Sequence, residues 1–472
     1  MDLSHSKYLI QTPDFSGITN LERLVLEGCI NLREVHPSLG DLKKLNFLSL
    51  KDCKMLRRLP SRICNFKSLQ TFILSGCSKF EEFPENFGNL EMLKELHEDG
   101  TVVRALPPSI FSMRNLKKLS FRGCGPASAS WLWPKRSSNS ICFTVPSSSN
   151  LCSLMDLDLS YCNISDGANL DSLGFLSSLK QLDLSGNNFV TLPNMSGLSH
   201  LEWLVLENCK RLQALPQFPS SLEYLDLSGN NFVTLPNMSG LSHLEWLWLK
   251  NCKRLQALPQ LPSSIRSLNA TDCTSLNLLR PRELESLDSD FAVVIPGSRI
   301  PDWIRYQSSE NVIETDLPLN WSTNCLGFAL ALVFSSRPPV ARTNLLGAFV
   351  LLDFGTCLCV IKTHCFFLED NWVLPRERDH VLLTYVPVQR SRSPHQVIHI
   401  GARFLIDVNY EMKRCGLGLV YVNEEVNCNN VPPPNESTLV LKEISAGEPI
   451  ECEDMTMTQN QRKPTESCYI HL

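Results

Sequence analysis

The 472-residue sequence has no apolar run of the ~18 residues that a membrane-spanning helix needs; its best, Cys325–Phe334, is too short. It lacks the basic-then-apolar start of a secretory leader, reading Met1-Asp2-Leu3-Ser4-His5-Ser6 instead. It lacks a surplus of charge: 44 basic residues stand against 49 acidic ones, for a net charge of −5. Nothing in that balance draws it to nucleic acid or to an anionic membrane. It also lacks the local phrases of common catalysts, with no G-x-S-x-G, no H-E-x-x-H and no Cys/His pair in a recognisable frame. From these absences the chain is expected to be neither membrane-spanning nor classically secreted, and not an enzyme of a recognisable kind. Cysteine, by contrast, is plentiful. There are 19, an odd number spread over the whole chain, whereas a disulfide scaffold is short and Cys-dense. The pattern predicts reduced, mostly buried thiols in a cytoplasmic or nuclear protein.

A nine-residue phrase, L-x-x-L-x-L-x-x-C/N, begins at Leu21, Leu45, Leu69, Leu93, Leu116, Leu154, Leu179, Leu201, Leu222 and Leu244, and once more as Ile265. The successive spacings are 24, 24, 24, 23, 38, 25, 22, 21, 22 and 21 residues. That is the period of a leucine-rich repeat. Its L-x-L centre predicts a short strand with Leu inward and the intervening residues outward. No unit can bury its apolar face alone, so the units stack. The terminal Cys or Asn is expected to cap backbone groups from inside the stack. The recurrent Leu-Pro pairs (Leu59-Pro60, Leu106-Pro107, Leu192-Pro193, Leu215-Pro216 and Leu258-Pro259) predict an irregular convex side. The long spacing after Leu116 predicts a protruding Ser/Pro-rich loop at 125–149. Its Trp131 and Trp133 would be either an exposed contact or a clamp on the convex side. From Leu182 to Ser221 the sequence recurs 43 residues later with three changes: Val205/Trp248, Glu207/Lys250 and Phe218/Leu261. Met1–Ser4 reads as the end of a strand already inside a repeat, which predicts a missing preceding domain or a truncated product.

After Glu283–Asp290, read as a polar joint, the repeat stops. Ile313–Leu317, Cys325–Phe334, Ala348–Phe354, Val381–Pro387, Gln396–Phe404 and Gly416–Val422 read as strands between turns. The expected architecture is a leucine-rich-repeat solenoid of α/β class over 1–284, with short parallel strands and a mostly irregular convex side. An all-β sandwich or jelly roll follows over 285–442, then a polar, disordered tail over 443–472.

The Cys-ended repeats with their Leu-Pro pairs resemble those of plant intracellular immune receptors. The stretch from Ile295 to Trp321, beginning IPGSRIPDW, resembles the start of the C-terminal jelly-roll/Ig-like domain (C-JID) of the TIR-type members. The resemblance covers roughly residues 1–440. It implies the sensor part of a TIR-type NB-ARC leucine-rich-repeat receptor, recognising a pathogen effector or a guarded host protein. It also implies the TIR and NB-ARC domains of a full-length receptor as intramolecular partners. The chain departs from the family in carrying no G-x-x-x-x-G-K-[ST] loop and no TIR-like segment. ATP binding and NAD⁺ cleavage therefore do not carry over, and no cofactor is expected. The alternatives are a decoy or scaffold without signalling, and the regulatory half of an NAD⁺-cleaving enzyme.

If a partner is held, outward strand positions are the first candidates: Arg23, Phe47, Lys51, Lys118, Arg122, Trp203, Glu207, Tyr224, Trp246, Trp248 and Lys250. Trp and Tyr dominate interface energetics. The competing reading packs these aromatics laterally on neighbouring strands and leaves the bases as a solvated face. Ile295–Trp303 is expected to be structural, with Trp303 buried against the last repeat. Cys357, Cys359, His364 and Cys365 match no closed zinc module.

Overall fold

The computed structural model describes residues 1–421 apart from 104–105, 125–145, 147–148, 167–169, 278–279, 281–283, 285–286, 288–290, 318–320, 322–324, 337–344, 354–357, 368–377, 388–398 and 407–409. Nearly all of the loop expected at 125–149, and the whole tail at 443–472, lie outside the described residues.

Each of the eleven phrases forms a three-residue strand: β1 (Arg23–Val25), β2 (Phe47–Ser49), β3 (Thr71–Ile73), β4 (Glu95–His97), β5 (Lys118–Ser120), β6 (Asp156–Asp158), β7 (Gln181–Asp183), β8 (Trp203–Val205), β9 (Tyr224–Asp226), β10 (Trp246–Trp248) and β11 (Ser267–Asn269). They pair in parallel, in chain order, with phrase positions three, four and five always opposite their equivalents. The fourth position points inward, and its leucines join one core that runs through every repeat. Burying one such Leu is worth roughly 1.5–3 kcal/mol. The third and fifth positions form the concave face.

Two features end each strand. The eighth position adopts a left-handed conformation in all eleven repeats, with φ between 57° and 81°. Gly, Asn or Asp fills it except at Tyr161, as that conformation favours. The ninth position then reaches back into the preceding repeat. Cys53 Sγ donates to Leu26 O at 3.2 Å, Cys77 to Leu50 O at 3.1 Å, Cys162 to Phe121 O at 3.0 Å and Cys273 to Leu249 O at 3.0 Å. Asn187 and Asn230 do the same with Nδ2, to Leu159 O and Leu206 O, both at 2.9 Å. The residues before β1 join in as well: the Leu3 amide donates to Val25 O, and Leu3 O accepts from Cys29 Sγ at 3.2 Å.

The fourth repeat breaks the pattern twice. Glu98 takes the sixth position, where the other repeats place Leu, Phe or Ala, and it is fully buried. Thr101 takes the ninth position, and its hydroxyl donates to Glu98 Oε1 at 2.8 Å instead of bonding the previous repeat. One departure thus satisfies half of the other; Glu98 Oε2 has no partner.

The convex side is irregular, as expected. It holds 3₁₀ turns at Pro37–Asp41, Ser61–Asn65, Phe87–Asn89, Pro108–Ser112 and Leu170–Phe175, and no α-helix among the described residues. Pro60 and Pro107, in extended conformation, cap two of these turns.

The sheet does not stop at β11. β12 (Phe291–Pro296) adds in parallel as the next rung, with Val293 opposite Leu268. The order then continues antiparallel through β18 (Asp379–Pro387), β15 (Cys325–Ser336), β20 (Tyr410–Tyr421) and β13 (Tyr306–Ser308). A second sheet, ordered β14 (Val312–Asp316), β19 (His399–Ile406), β16 (Leu345–Asp353) and β17 (Leu358–Phe367), completes the sandwich. Phe291, Val293 and Ile295 continue the repeat core, while Ala292 and Val294 face a second core with Phe328, Phe334 and Phe404.

The segment read as a polar joint is not merely polar. Leu284 and Leu287 are buried in the repeat core, because the continuing sheet needs its apolar side covered there. Ile300 and Ile304 lie directly on β20, where Gly416 leaves room: a Cβ on Gly416 would stand 2.8 Å from Ile304 Cγ2. Trp303 is half-buried against this shared core. The Ile295–Trp303 phrase is therefore structural.

Burial pushes the Cys77, Cys162 and Cys209 thiols up to about 12, so at neutral pH they stay protonated donors. Cys152 is exposed. Brief alkylation of the native chain, mapped by mass spectrometry, should mark Cys152 well before Cys77, Cys162 or Cys209. Equal labelling rates would contradict the ladder.

Burial holds the Glu98 carboxyl well above its ordinary 4.5. Folded chains then keep a proton that unfolded chains release. The stability contribution is whole below the unfolded value and declines as pH rises, by up to about 1.4 kcal/mol per pH unit. Glu98→Leu should raise Tm at neutral pH and flatten the decline in Tm between about pH 5 and pH 7. An unaltered Tm–pH profile would show that the carboxyl is not carried protonated in the core.

Candidate protein-interaction face

The eleven expected positions all lie on strands or on the turns leaving them, but they do not form one cluster. At the first end, the Arg23 guanidinium lies 3.4 Å over the Phe47 ring, and Lys51 is exposed beyond them. In the middle, Lys118 is paired with Asp156 at 2.7 Å. The Arg122 guanidinium lies 5.6 Å from the Tyr161 ring, at an open hollow of about 470 Å³ lined by Asp99, Gly100, Arg122, Gly123 and Tyr161.

The remaining six group together on β8, β9 and β10. Trp203, Tyr224 and Trp246 stand opposite one another in register at the third position. Trp203 and Tyr224 stack at 4.3 Å with their planes 12° apart. Tyr224 is only 8% exposed, so lateral packing is its main contact. Trp248 stands at the fifth position, 5.9 Å from the Tyr224 ring. It also packs against the second core of the β-domain, which places it where the concave face meets that domain. Glu207 accepts from Asn208 Nδ2 at 2.9 Å, and Lys250 is half-exposed at the equivalent position one copy later.

The structure adds residues that the expectations missed. Asp158, Asp183 and Asp226 end β6, β7 and β9 at the same concave position. Each carboxylate accepts the amide of the serine two residues on, at 2.8–2.9 Å. The recurring Asp-Leu-Ser tripeptide at residues 158–160, 183–185 and 226–228 was the available signal. Burial, then the charges of Glu207 and Asp183, push Asp226 up to about 6. Burial likewise raises Asp183. Tyr161 was also missed; it is a bulky, 45% exposed residue held at φ 57°.

Among the described residues no group of three or more His, Cys, Asp or Glu could hold a metal, and no helix is long and apolar enough to cross a membrane. The side chains of Cys357, Cys359, His364 and Cys365 lie outside the described residues. His200 and His243 bond the Ser177 and Ser220 carbonyls of the previous repeat at 3.0 and 2.9 Å, an architectural role.

Residues 4–131 match the leucine-rich repeat region family, residues 143–269 match the repeats of leucine-rich repeat and WD repeat-containing protein 1, and residues 295–426 match the C-JID domain. The chain is 31% identical to TMV resistance protein N of Nicotiana glutinosa over 280 residues, which cover 46% of this chain and 24% of that protein. It is 27% identical to disease resistance protein RPS4 of Arabidopsis thaliana over 471 residues, covering 90% of this chain and 37% of that protein. Its matches therefore span about a quarter to somewhat over a third of the length of these relatives. A solved Leptospira interrogans leucine-rich-repeat protein overlaps 51% of this chain and 70% of its own, at 25% identity and a TM-score of 0.33. That overlap is too loose to add to the fold. The repeats, the domain that follows them and the shared relatives agree: the chain is a leucine-rich-repeat and C-JID region of the kind found in TIR-type plant disease-resistance proteins.

Proposed function

We propose that this region is the ligand-sensing part of an intracellular immune receptor, acting in the cytoplasm or nucleus, and that it binds a pathogen effector or a guarded host protein. Its role is binding, without catalysis of its own. The observation that carries the reading is the run of Trp203, Tyr224 and Trp246 in register, ending at Trp248 where the β-domain core begins. Aromatic side chains next to a wall offer large contact area at low entropic cost, which is how interface anchors work. In a full-length receptor, partner binding would favour one arrangement of the TIR and NB-ARC domains over another.

A photo-reactive phenylalanine at Trp246 tests this, with Phe175 as control; Phe175 is 55% exposed and ends a convex-side 3₁₀ turn. In plant tissue expressing the full chain, with and without pathogen challenge, a discrete protein adduct should form at Trp246 and not at Phe175. Adding Trp203→Ala should weaken it. The same adduct at both positions, or none at Trp246, would defeat the reading.

A further inference from the structure

The carboxylates on this face are not neutralised from within. Asp158, Asp183 and Asp226 have no ion pair among the described residues. Bases on the same sheet are engaged elsewhere: Lys118 with Asp156 at 2.7 Å, Lys180 with Glu202 at 2.6 Å and Arg266 with Glu245 at 3.3 Å. Glu207 faces Asp226 and adds like charge; Arg122 alone offsets part of the field at Asp183. Lys250, on the turn leaving β10, is not within ion-pair distance of any of them. Ser185 and Ser228, 3% and 6% exposed, offer Asp183 and Asp226 a hydroxyl and an amide, neither of which carries charge. Strands lie about 4.8 Å apart, so β6 to β9 places three negative groups along some 14 Å of one face. Desolvated carboxylates without a cationic partner are costly, and the fold carries two, Asp183 and Asp226, in one row with the half-exposed Asp158.

Beside them stands the half-exposed Trp203, its orientation fixed by stacking on the buried Tyr224 ring. Trp203 and Tyr224 occupy the third position of β8 and β9, the latter on the same strand as Asp226. A carboxylate next to an aromatic plane suits one side chain better than any other. A guanidinium pairs with carboxylate through two parallel N–H donors and stacks on an aromatic ring. An ammonium supplies the charge without the plane.

We infer that the strip from β6 to β10 receives an arginine-bearing polypeptide segment, its guanidinium groups pairing with Asp183 and Asp226 and stacking at the half-exposed Trp203. This rests on the concave face being the partner-binding one, and names the chemistry of the partner.

The test is calorimetric titration of the full chain, at physiological salt, with three synthetic hexapeptides: all arginine, all lysine, and all citrulline, the uncharged isostere of arginine. The arginine peptide should bind about tenfold tighter than the lysine peptide, and the citrulline peptide should not bind measurably. Asp183→Asn with Asp226→Asn, which keep side-chain shape, should weaken arginine binding by about tenfold or more. Glu91→Gln removes one exposed charge away from the strip and should leave it unchanged. Lysine binding as tight as arginine, equal loss in Glu91→Gln, or no loss in the double variant would each overturn the proposal. A protein adduct at Trp246 without arginine preference would overturn it while leaving the receptor-face reading standing. Arginine preference with no adduct would uphold this chemistry and defeat that reading.

Discussion

The bond from the ninth side chain of every repeat but the fourth to the sixth carbonyl of the repeat before it is what the rest of the solenoid depends on. That carbonyl points into the stack, away from water. The amide of its own turn already reaches it, as Cys53 N does Leu50 O at 3.1 Å, and the next repeat supplies a second donor. Leaving such a group short of partners costs about 1–3 kcal/mol, and the debt would recur in every repeat. Cys answers it with a small apolar body and a weak donor, which suits a leucine core. Asn donates more strongly and bonds its own turn as well, as Asn187 does to Leu184 O at 2.8 Å. This explains how a chain can hold so many cysteines as free thiols: they are rungs. Each rung also needs the eighth residue to turn left-handed, which is why Gly, Asn and Asp precede it.

Because the bond runs only between neighbours, the stack can be extended by anything that presents a strand in register. β12 does so, and with it the β-domain becomes a continuation of the sheet. The concave face changes character at that point. Ala292 and Val294 hold the places of the third and fifth positions, yet both are covered by the second core. Asn269, one strand earlier, is already 1% exposed. The open face therefore ends at β10, with Trp248 at its edge. A partner lying on β8–β10 would meet the repeats and the β-domain together.

The repeat itself was legible because its information is local. Leu spacing, Cys or Asn at the end and Leu-Pro on the far side each follow from one rung's chemistry, and all eleven strands form where the phrase puts them. Most β-domain strands were legible from turns and apolar runs, but Phe291–Pro296 was not called as one, and neither was Tyr306–Ser308, whose three residues are polar or half-polar and pair only with β20. The buried role of Leu284 and Leu287 was hidden because acidic neighbours make the segment read as polar, whereas burial depends on which side of a continuing sheet needs cover. The aromatic positions fall on the concave side as placed, and lateral packing stood as the competing reading; which rings stack was not legible, because adjacency across strands is a register property. The aspartates were overlooked for a different reason. Asp-Leu-Ser looks like strand-end polarity in one repeat, and only three in alignment make a negative row.

The near-duplicate repeats show how such a face can change while the stack stays still. Cys209 and Cys252 bond the preceding leucine carbonyl at the same 3.3 Å, and Asn187 and Asn230 at the same 2.9 Å. Every position bound into that ladder is identical between the copies. The change away from the concave face, Phe218 to Leu261, keeps an apolar side chain. The other two fall at its fifth and seventh positions: Val205 becomes Trp248, and Glu207 becomes Lys250. One adds a large aromatic surface, and the other puts a base where the first copy has an acid. Neither alters a buried group, so neither disturbs the bonds that hold the rungs. Constraint on the inner positions and freedom on the outer ones follow from the same bond, and that division lets one solenoid carry a new surface without becoming a new fold.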